Sequence, residues 1–166
     1  MTTIYIGIGS NLGDREGTCL KAVEELDRRG IKLTGKSSRY ETEPWGVKDQ
    51  PKFINMAVEA NTDLTPLEVL RAIKEIEKKL GRGETRRWGP RVVDLDILLY
   101  NDLVVDEPGL RIPHPHMHER EFVLNPLSEI APEVIHPLLK KTVREMLSEV
   151  QAVMPSLRIH QTPSKP

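Results

Sequence analysis

Apolar and polar positions alternate along several short stretches of the chain, the pattern typical of strands with one buried face. In the first of these, Thr2–Ile8, the residues Ile4, Ile6 and Ile8 fall on one face. Helical spacing follows between Asp14, a predicted N-cap, and Gly30, a predicted stop. The same criteria predict strands at 31–40, 53–60, 92–99 and 102–105, and helices at 65–80 and 142–150.

The order of these elements is strand, helix, strand, strand, helix, strand, followed by additions. This β-α-β-β-α-β order predicts an α+β, ferredoxin-like core: a mostly antiparallel sheet with both helices on one face. The long loops 41–52 and 81–91 are then expected to rise at one edge of the sheet. We expect residues 1–155 to form a single domain and residues 156–166 to form a frayed tail.

Composition narrows the class of protein. The 166 residues carry a net charge of −1, so no overall attraction to nucleic acid or to a membrane is expected. The single cysteine, Cys19, excludes an intramolecular disulfide and is expected to be a buried packing residue. With neither a signal peptide nor a membrane span in the sequence, we expect a cytoplasmic protein, acting as a monomer.

A glycine-rich segment after the first strand invites comparison with nucleotide-binding loops. Its spacing, Gly7-x-Gly9-x-x-x-Gly13, is one residue longer than the dinucleotide fingerprint, and no phosphate-loop lysine follows. We interpret the segment as a turn with a permissive backbone that borders a ligand.

Two aspartates interrupt the apolar strand at 92–99. Side chains two apart in a strand point the same way, so Asp94 and Asp96 share one face, roughly 5–7 Å apart. Such a pair suits Mg²⁺, which accepts one or two carboxylates together with substrate phosphates. A solvated polar edge is the alternative, but four arginines just upstream favour Mg²⁺-assisted phosphoryl-type transfer: Arg82, Arg86, Arg87 and Arg91.

Other side chains have the chemistry of ligand contacts. Phe53 and Asn55 share the strand face opposite the core, where they could stack on a planar heterocycle and hydrogen-bond its edge. A half-exposed strand face is equally compatible with this pattern. Three histidines at i, i+2 and i+4 suggest a zinc site, but no fourth ligand is evident: His114, His116 and His118. The favoured interpretation is a histidine and an arginine, Arg120, that face a polyphosphate.

From about Thr3 to Pro137 the chain resembles the 6-hydroxymethyl-7,8-dihydropterin pyrophosphokinase family of folate biosynthesis. The resemblance rests on six motifs at family spacing. They are Gly9-Ser10-Asn11-Leu12-Gly13, Thr42-x-Pro44-x-Gly46, Asp49-Gln50-Pro51-x-Phe53-x-Asn55, Glu77-x-x-Leu80-Gly81-Arg82, Arg87-Trp88-Gly89-Pro90-Arg91-x-x-Asp94-Leu95-Asp96-Ile97-Leu98, and Pro113-His114-x-x-Met117-x-x-Arg120-x-Phe122.

The resemblance implies transfer of the terminal pyrophosphoryl unit of ATP to the pterin hydroxymethyl oxygen, with AMP as the other product. It implies two Mg²⁺ on Asp94 and Asp96, and catalytic roles for Arg82 and Arg91. The implied pterin contacts are Thr42, Glu43, Trp45, Phe53, Asn55, Trp88 and Phe122. The implied ATP contacts are Lys74, Glu77, Arg87, Arg91, Ile97, Arg111, His114 and Arg120.

Three positions depart from the family pattern. Glu84 stands where members often carry an arginine, Pro115 where some carry an aromatic residue, and Trp45 where a smaller apolar residue is common. Two other classes of protein remain as rivals: a non-catalytic binding module on the same fold, and a two-metal nuclease or nucleotidyltransferase. The carboxylate pair argues against the first, and the net charge of −1 and the few aromatic residues argue against the second.

Overall fold

A computed structural model describes residues 1–11, 13–42, 52–81 and 93–153, and the backbone of 160–162. The centre of the molecule is an antiparallel sheet. Its strands run in the order β5-β1-β4-β3-β8, and β2 also pairs with β4. The strands are β1 (Thr2–Ser10), β2 (Ile31–Lys36), β3 (Arg39–Thr42), β4 (Phe53–Thr62), β5 (Asp94–Tyr100) and β8 (His160–Thr162). A separate hairpin joins β6 (Val105–Glu107) to β7 (Leu110–Ile112).

Two helices cover one face of the sheet, and local capping begins each of them. In α1 (Arg15–Arg28) the Asp14 carboxylate accepts a hydrogen bond from the Gly17 N–H at 3.1 Å. In α2 (Pro66–Gly81) Thr65 and Glu68 exchange side-chain-to-backbone hydrogen bonds of 2.8 and 3.2 Å, a capping box. Gly30, after α1, has φ of +86°, as the predicted stop requires.

The predicted ferredoxin-like α+β fold is confirmed, with one addition. Ile4, Ile6 and Ile8 pack under α1 and α2, as the alternation predicts. The opposite face of the sheet, which carries Tyr5, is also buried, because α3 (Glu121–Ile130) and α4 (Val143–Val153) cover it. The helix predicted at 142–150 is α4; we did not predict α3 as a helix. Within the described ranges, no helix has the length and apolar character needed to cross a bilayer.

Three expectations are corrected by long-range contacts. The strand predicted over 31–40 is two strands, since the chain breaks at Ser37 and Ser38, whose polar groups bond to Ala57 N–H and to the Glu129 carboxylate. The short strand expected at 102–105 begins only at Val105, and residues 106–111, expected as a loop, belong to the β6–β7 hairpin. Three residues of the expected frayed tail, His160–Thr162, pair with β3 as β8. Cys19 is fully buried in the core, as expected.

Candidate active site

A cavity of about 590 Å³ opens on the α3/α4 face of the sheet, at the end where α3 begins. We call it the first cavity. Four strands, the turn before α3 and the start of α3 line it. The lining residues are Gly7, Ile8, Gly9, Thr42, Phe53, Asn55, Met56, Asp94, Asp96, Leu98, His116, Glu119, Arg120, Phe122 and Val123.

Strand register aligns the two aspartates with the glycines of β1. Asp94 lies opposite Gly9, which lies opposite Asn55 on β4; Asp96 lies opposite Gly7 in the next row. Opposed residues of neighbouring strands share a face, so both carboxylates face the first cavity, as the alternation predicts. The glycines contribute no side chains, and open space therefore remains between the carboxylates and Asn55.

A side chain at Gly9 would also collide with the Asn55 amide. A Cβ atom added there would stand 2.9 Å from the Asn55 Oδ1, closer than side-chain atoms normally approach. The Asn55 amide in turn donates a 2.8 Å hydrogen bond to the Thr42 hydroxyl. Gly7 and Gly9 both belong to β1 rather than to the turn we expected. Gly9 leaves space for the Asn55 amide, whereas a Cβ atom at Gly7 would contact the Leu98 side chain at 3.5 Å.

Four of the side chains implied as pterin contacts meet in the first cavity: Thr42, Phe53, Asn55 and Phe122. Phe53 comes from β4 and Phe122 from the first turn of α3, so two aromatic rings and one oriented amide line a single cavity. Arg120, implied as an ATP contact, also lines it, and its guanidinium lies 5.7 Å from the Phe122 ring centroid in a cation–π arrangement.

A second cavity of about 360 Å³ lies between α2 and the β6–β7 hairpin. Four residues implied as ATP contacts line this second cavity: Lys74, Ile97, Arg111 and His114. Asp96 lines both cavities, and Asp94 lines the first. The carboxylate pair therefore stands where a group bound in one cavity would meet a group bound in the other.

His114 has a defined orientation beside Asp96. Its Nδ1 accepts a hydrogen bond from the His116 N–H at 3.2 Å, so the neutral ring carries its proton on Nε2, which lies 4.0 Å from Asp96 Oδ1. Burial lowers the pKa of His114, Asp96 opposes this effect, and Arg120 and His116 reinforce it. A neutral ring that lines the second cavity and carries its N–H beside Asp96 is suited to a phosphate or ribose oxygen.

Glu77 supports the strand that carries the aspartates. Its Oε2 accepts a 2.8 Å hydrogen bond from the backbone N–H of Leu95, the residue between the two aspartates, and its Oε1 lies 3.3 Å from Lys74 Nζ. The carboxylate thus joins α2 to β5.

The aspartates fit Mg²⁺ better than the histidines fit zinc. Asp96 is half exposed, at 51% of its side-chain area, and a pair of carboxylates beside a cavity suits an ion that also takes phosphate oxygens. His116 and His118 instead lie 3.4 and 3.5 Å from Glu119. Among the described residues, no three His, Cys, Asp or Glu side chains are grouped as ligands of one metal ion.

Several cavity residues were not singled out from the sequence for this site. Glu119, Leu98, Met56 and Val123 line the first cavity, as does His116, which we had considered only with the other histidines. The i, i+3 spacing of His116 and Glu119, between His114 and Arg120, is a sequence signal that could have placed both side chains at one site. Six predicted contacts lie outside the described residues: Glu43, Trp45, Arg82, Arg87, Trp88 and Arg91.

Comparison with known proteins identifies related sequences over most of the chain. The sequence model of one family, described as 7,8-dihydro-6-hydroxymethylpterin-pyrophosphokinase (HPPK), matches residues 5–132. A 2-amino-4-hydroxy-6-hydroxymethyldihydropteridine pyrophosphokinase of Aquifex aeolicus is 44% identical over 149 residues, covering 90% of this chain and 92% of that protein. The Bacillus subtilis protein of the same name is 50% identical over 131 residues, covering 78% of each chain.

Some relatives are much longer. A folic acid synthesis protein of Dictyostelium discoideum is 45% identical over 143 residues, which are 86% of this chain and 22% of that protein. Among solved structures, wild-type Plasmodium falciparum HPPK-DHPS matches with a TM-score of 0.74 at 17% identity, over 92% of this chain and 45% of that one. At this identity the likeness establishes the fold alone, and this chain spans less than half the length of that protein.

Proposed function

This chain belongs to the 7,8-dihydro-6-hydroxymethylpterin-pyrophosphokinase family and is a pyrophosphokinase of folate biosynthesis, and we propose that it transfers pyrophosphate from ATP to 6-hydroxymethyl-7,8-dihydropterin. In this reaction the hydroxymethyl oxygen attacks the β-phosphorus of ATP. The bond from that phosphorus to the α,β-bridging oxygen breaks, AMP leaves, and the hydroxyl proton passes to solvent. The products are AMP and the dihydropterin diphosphate.

One observation carries the proposal: the two cavities meet at a carboxylate pair, with Asp96 in the lining of both. A group-transfer enzyme needs its donor and acceptor sites to converge on the reacting atoms. A pure binding module has no use for a pair of carboxylates at such a junction, and a nuclease would need a surface for nucleic acid.

In the proposed complex the pterin occupies the first cavity. Asn55 and Thr42 hydrogen-bond its polar edge, and Phe53 and Phe122 pack against its faces. The hydroxymethyl group then points toward the aspartates. ATP occupies the second cavity, against Lys74, Ile97, Arg111 and His114, with its phosphates directed toward Asp96.

We propose that Asp94 and Asp96 hold two Mg²⁺. When bound, the ions would neutralise charge on the phosphates and lower the pKa of the attacking hydroxyl. Arg82 and Arg91 are proposed to stabilise charge on the group in transfer, as planar guanidinium groups do. Arg120, which already contacts the Phe122 ring, brings a cation to the cavity that receives the pterin.

The direct test is product analysis by chromatography after incubation with the hydroxymethyl-dihydropterin, ATP and Mg²⁺. AMP should form in equal amount with the pterin diphosphate, and only when the pterin and Mg²⁺ are both present. Formation of ADP and a pterin monophosphate would overturn the pyrophosphoryl step. Nucleotide release without a pterin product would favour a different hydrolytic or transfer activity.

The shared position of Asp96 leads to a prediction about binding order. Mg²⁺ and nucleotide should neutralise the carboxylates that face the first cavity and complete one of its walls. The pterin should then bind at least tenfold more tightly, about 1.4 kcal/mol, in the presence of Mg²⁺ and an unreactive ATP analogue. Isothermal titration calorimetry measures both affinities, and linkage requires the same factor when the order of addition is reversed.

A matched control uses the same analogue with EDTA in place of Mg²⁺, which should abolish most of the enhancement. Equal pterin affinity with and without the Mg²⁺–nucleotide complex would show that the first cavity is preformed and energetically independent of the second.

A further inference from the structure

Arg15, the first residue of α1, bridges two points that are distant in the sequence. One terminal guanidinium nitrogen donates a 2.6 Å hydrogen bond to the Lys52 carbonyl, and the other lies 3.0 Å from the Glu41 carboxylate. Arg15 and Glu41 are both only partly exposed, at 29% and 27% of side-chain area. Two charge-assisted contacts of this kind, converging on a planar guanidinium, restrict the relative positions of the groups that they join.

Both contacts of Arg15 adjoin residues of the first cavity. Glu41 immediately precedes Thr42, the last residue of β3, and Lys52 immediately precedes Phe53, the first residue of β4. Thr42 and Phe53 are themselves the final pair of the β3–β4 ladder. The ends of strand pairs open most readily, because the last pair has neighbours on one side only.

The Arg15 bridge stands at the end of the ladder where opening would disturb the cavity. Separation of Thr42 from Phe53 would lengthen the 2.8 Å hydrogen bond from Asn55 to Thr42 and move the Phe53 ring. Since α1 is capped by Asp14 and packed on the sheet, its first turn is a rigid support from which Arg15 can act.

We propose that Arg15 is a positioning residue for the pterin site, which acts by clamping the ends of β3 and β4 so that Thr42, Asn55 and Phe53 keep one geometry. The inference rests on the proposed function, because it assigns the first cavity to the pterin. Arg15 touches no substrate in this account; it lowers the cost of ordering the cavity wall when the pterin binds.

Arg15→Ala should raise the KM for the pterin about tenfold, as expected when charge-assisted contacts that preorganise a wall are lost, and leave the KM for ATP within about twofold. Arg15→Lys, which keeps one of the two contacts, should recover part of the pterin affinity. Lys21→Ala removes a positive charge from an exposed position on the same helix and should leave both KM values unchanged.

A readout independent of activity is hydrogen exchange. In Arg15→Ala the amides of 41–42 and 53–55 should exchange faster, whereas the amides in the middle of β1 should not. Combining Arg15→Ala with Glu41→Gln should cost less pterin affinity than the sum of the two single changes, because both remove the same contact.

The outcomes separate this inference from the proposed function. A wild-type protein that forms no AMP with the pterin defeats the proposed function, and unchanged exchange at 41–42 and 53–55 in Arg15→Ala defeats the clamp by itself. An active wild type with unchanged pterin KM in Arg15→Ala, or with equal losses for pterin and ATP, overturns only the clamp. If Arg15→Ala lowers the melting temperature but does not change the pterin KM, Arg15 only stabilises the fold. That result would also overturn the proposal.

Discussion

Replacing Asp96 by asparagine should lower turnover by on the order of 10³-fold or more, about 4 kcal/mol of transition-state stabilisation. The amide is nearly the same size as the carboxylate but binds Mg²⁺ poorly, because it lacks the negative charge. Asp96 lines both cavities, so its loss affects the junction at which transfer is proposed to occur. Single-turnover measurement of AMP formation at saturating ATP and pterin tests the chemical step directly.

The fold should survive the Asp96→Asn change. The side chain is half exposed, and removing one of two neighbouring negative charges relieves repulsion. The thermal melting temperature should therefore stay the same or rise slightly. Asp102→Asn, an exposed position just after β5, is the matched control and should retain full turnover. A rate within tenfold of wild type for Asp96→Asn would contradict the metal assignment.

The second large effect is expected at Asn55, in pterin affinity rather than in the chemical step. Asn55→Ala should weaken pterin binding about 100-fold, about 2.7 kcal/mol, because the pterin edge and the Thr42 hydroxyl would both lose a polar partner. ATP affinity should not change, since Asn55 lines the first cavity and ATP is assigned to the second. Calorimetric titration of pterin in the presence of Mg²⁺ and an ATP analogue makes the comparison.

Two companion variants separate the role of the amide from general damage to β4. Gly9→Ala keeps the Asn55 residue but puts a methyl group 2.9 Å from its Oδ1. It should therefore displace the amide and also weaken pterin binding. Asn61→Ala, on the same strand, removes a hydrogen bond with the Thr3 hydroxyl at the other end and should leave pterin affinity unchanged. Equal losses for Asn55→Ala and Asn61→Ala would point to strand destabilisation instead.

Local patterns were sufficient for the elements whose causes lie within a few residues. The predicted Asp14 cap and Gly30 stop are both present, because a cap depends on groups three or four residues apart. The same short range applies to the Thr65–Glu68 capping box at the start of the helix predicted at 65–80. The shared face of Asp94 and Asp96 follows from the two-residue period of a strand and needs no knowledge of neighbouring strands. The motifs that indicated the family are equally local, and the family matches over residues 5–132.

Other features depended on pairing between distant segments. The break between β2 and β3 at Ser37 and Ser38 is stabilised by Ala57 and Glu129, which lie far along the chain. The same holds for β8, which forms only because β3 offers an open edge. Short polar segments have weak preferences of their own, and tertiary contacts therefore decide their structure.

The sequence by itself determined β1, α1, β4, α2, β5 and α4, the carboxylate pair and the family. Periodicity, capping and motif spacing depend on neighbouring residues. Only the tertiary structure set Gly9 between Asp94 and Asn55, divided the predicted contacts between two cavities that share Asp96, and brought Arg15 to both Glu41 and Lys52. These arrangements arise from cross-strand register and from the packing of helices on both sheet faces. Register and helix packing depend on the whole chain, because the burial of the entire sheet selects each strand pairing. The few residues that a pairing brings together do not select it.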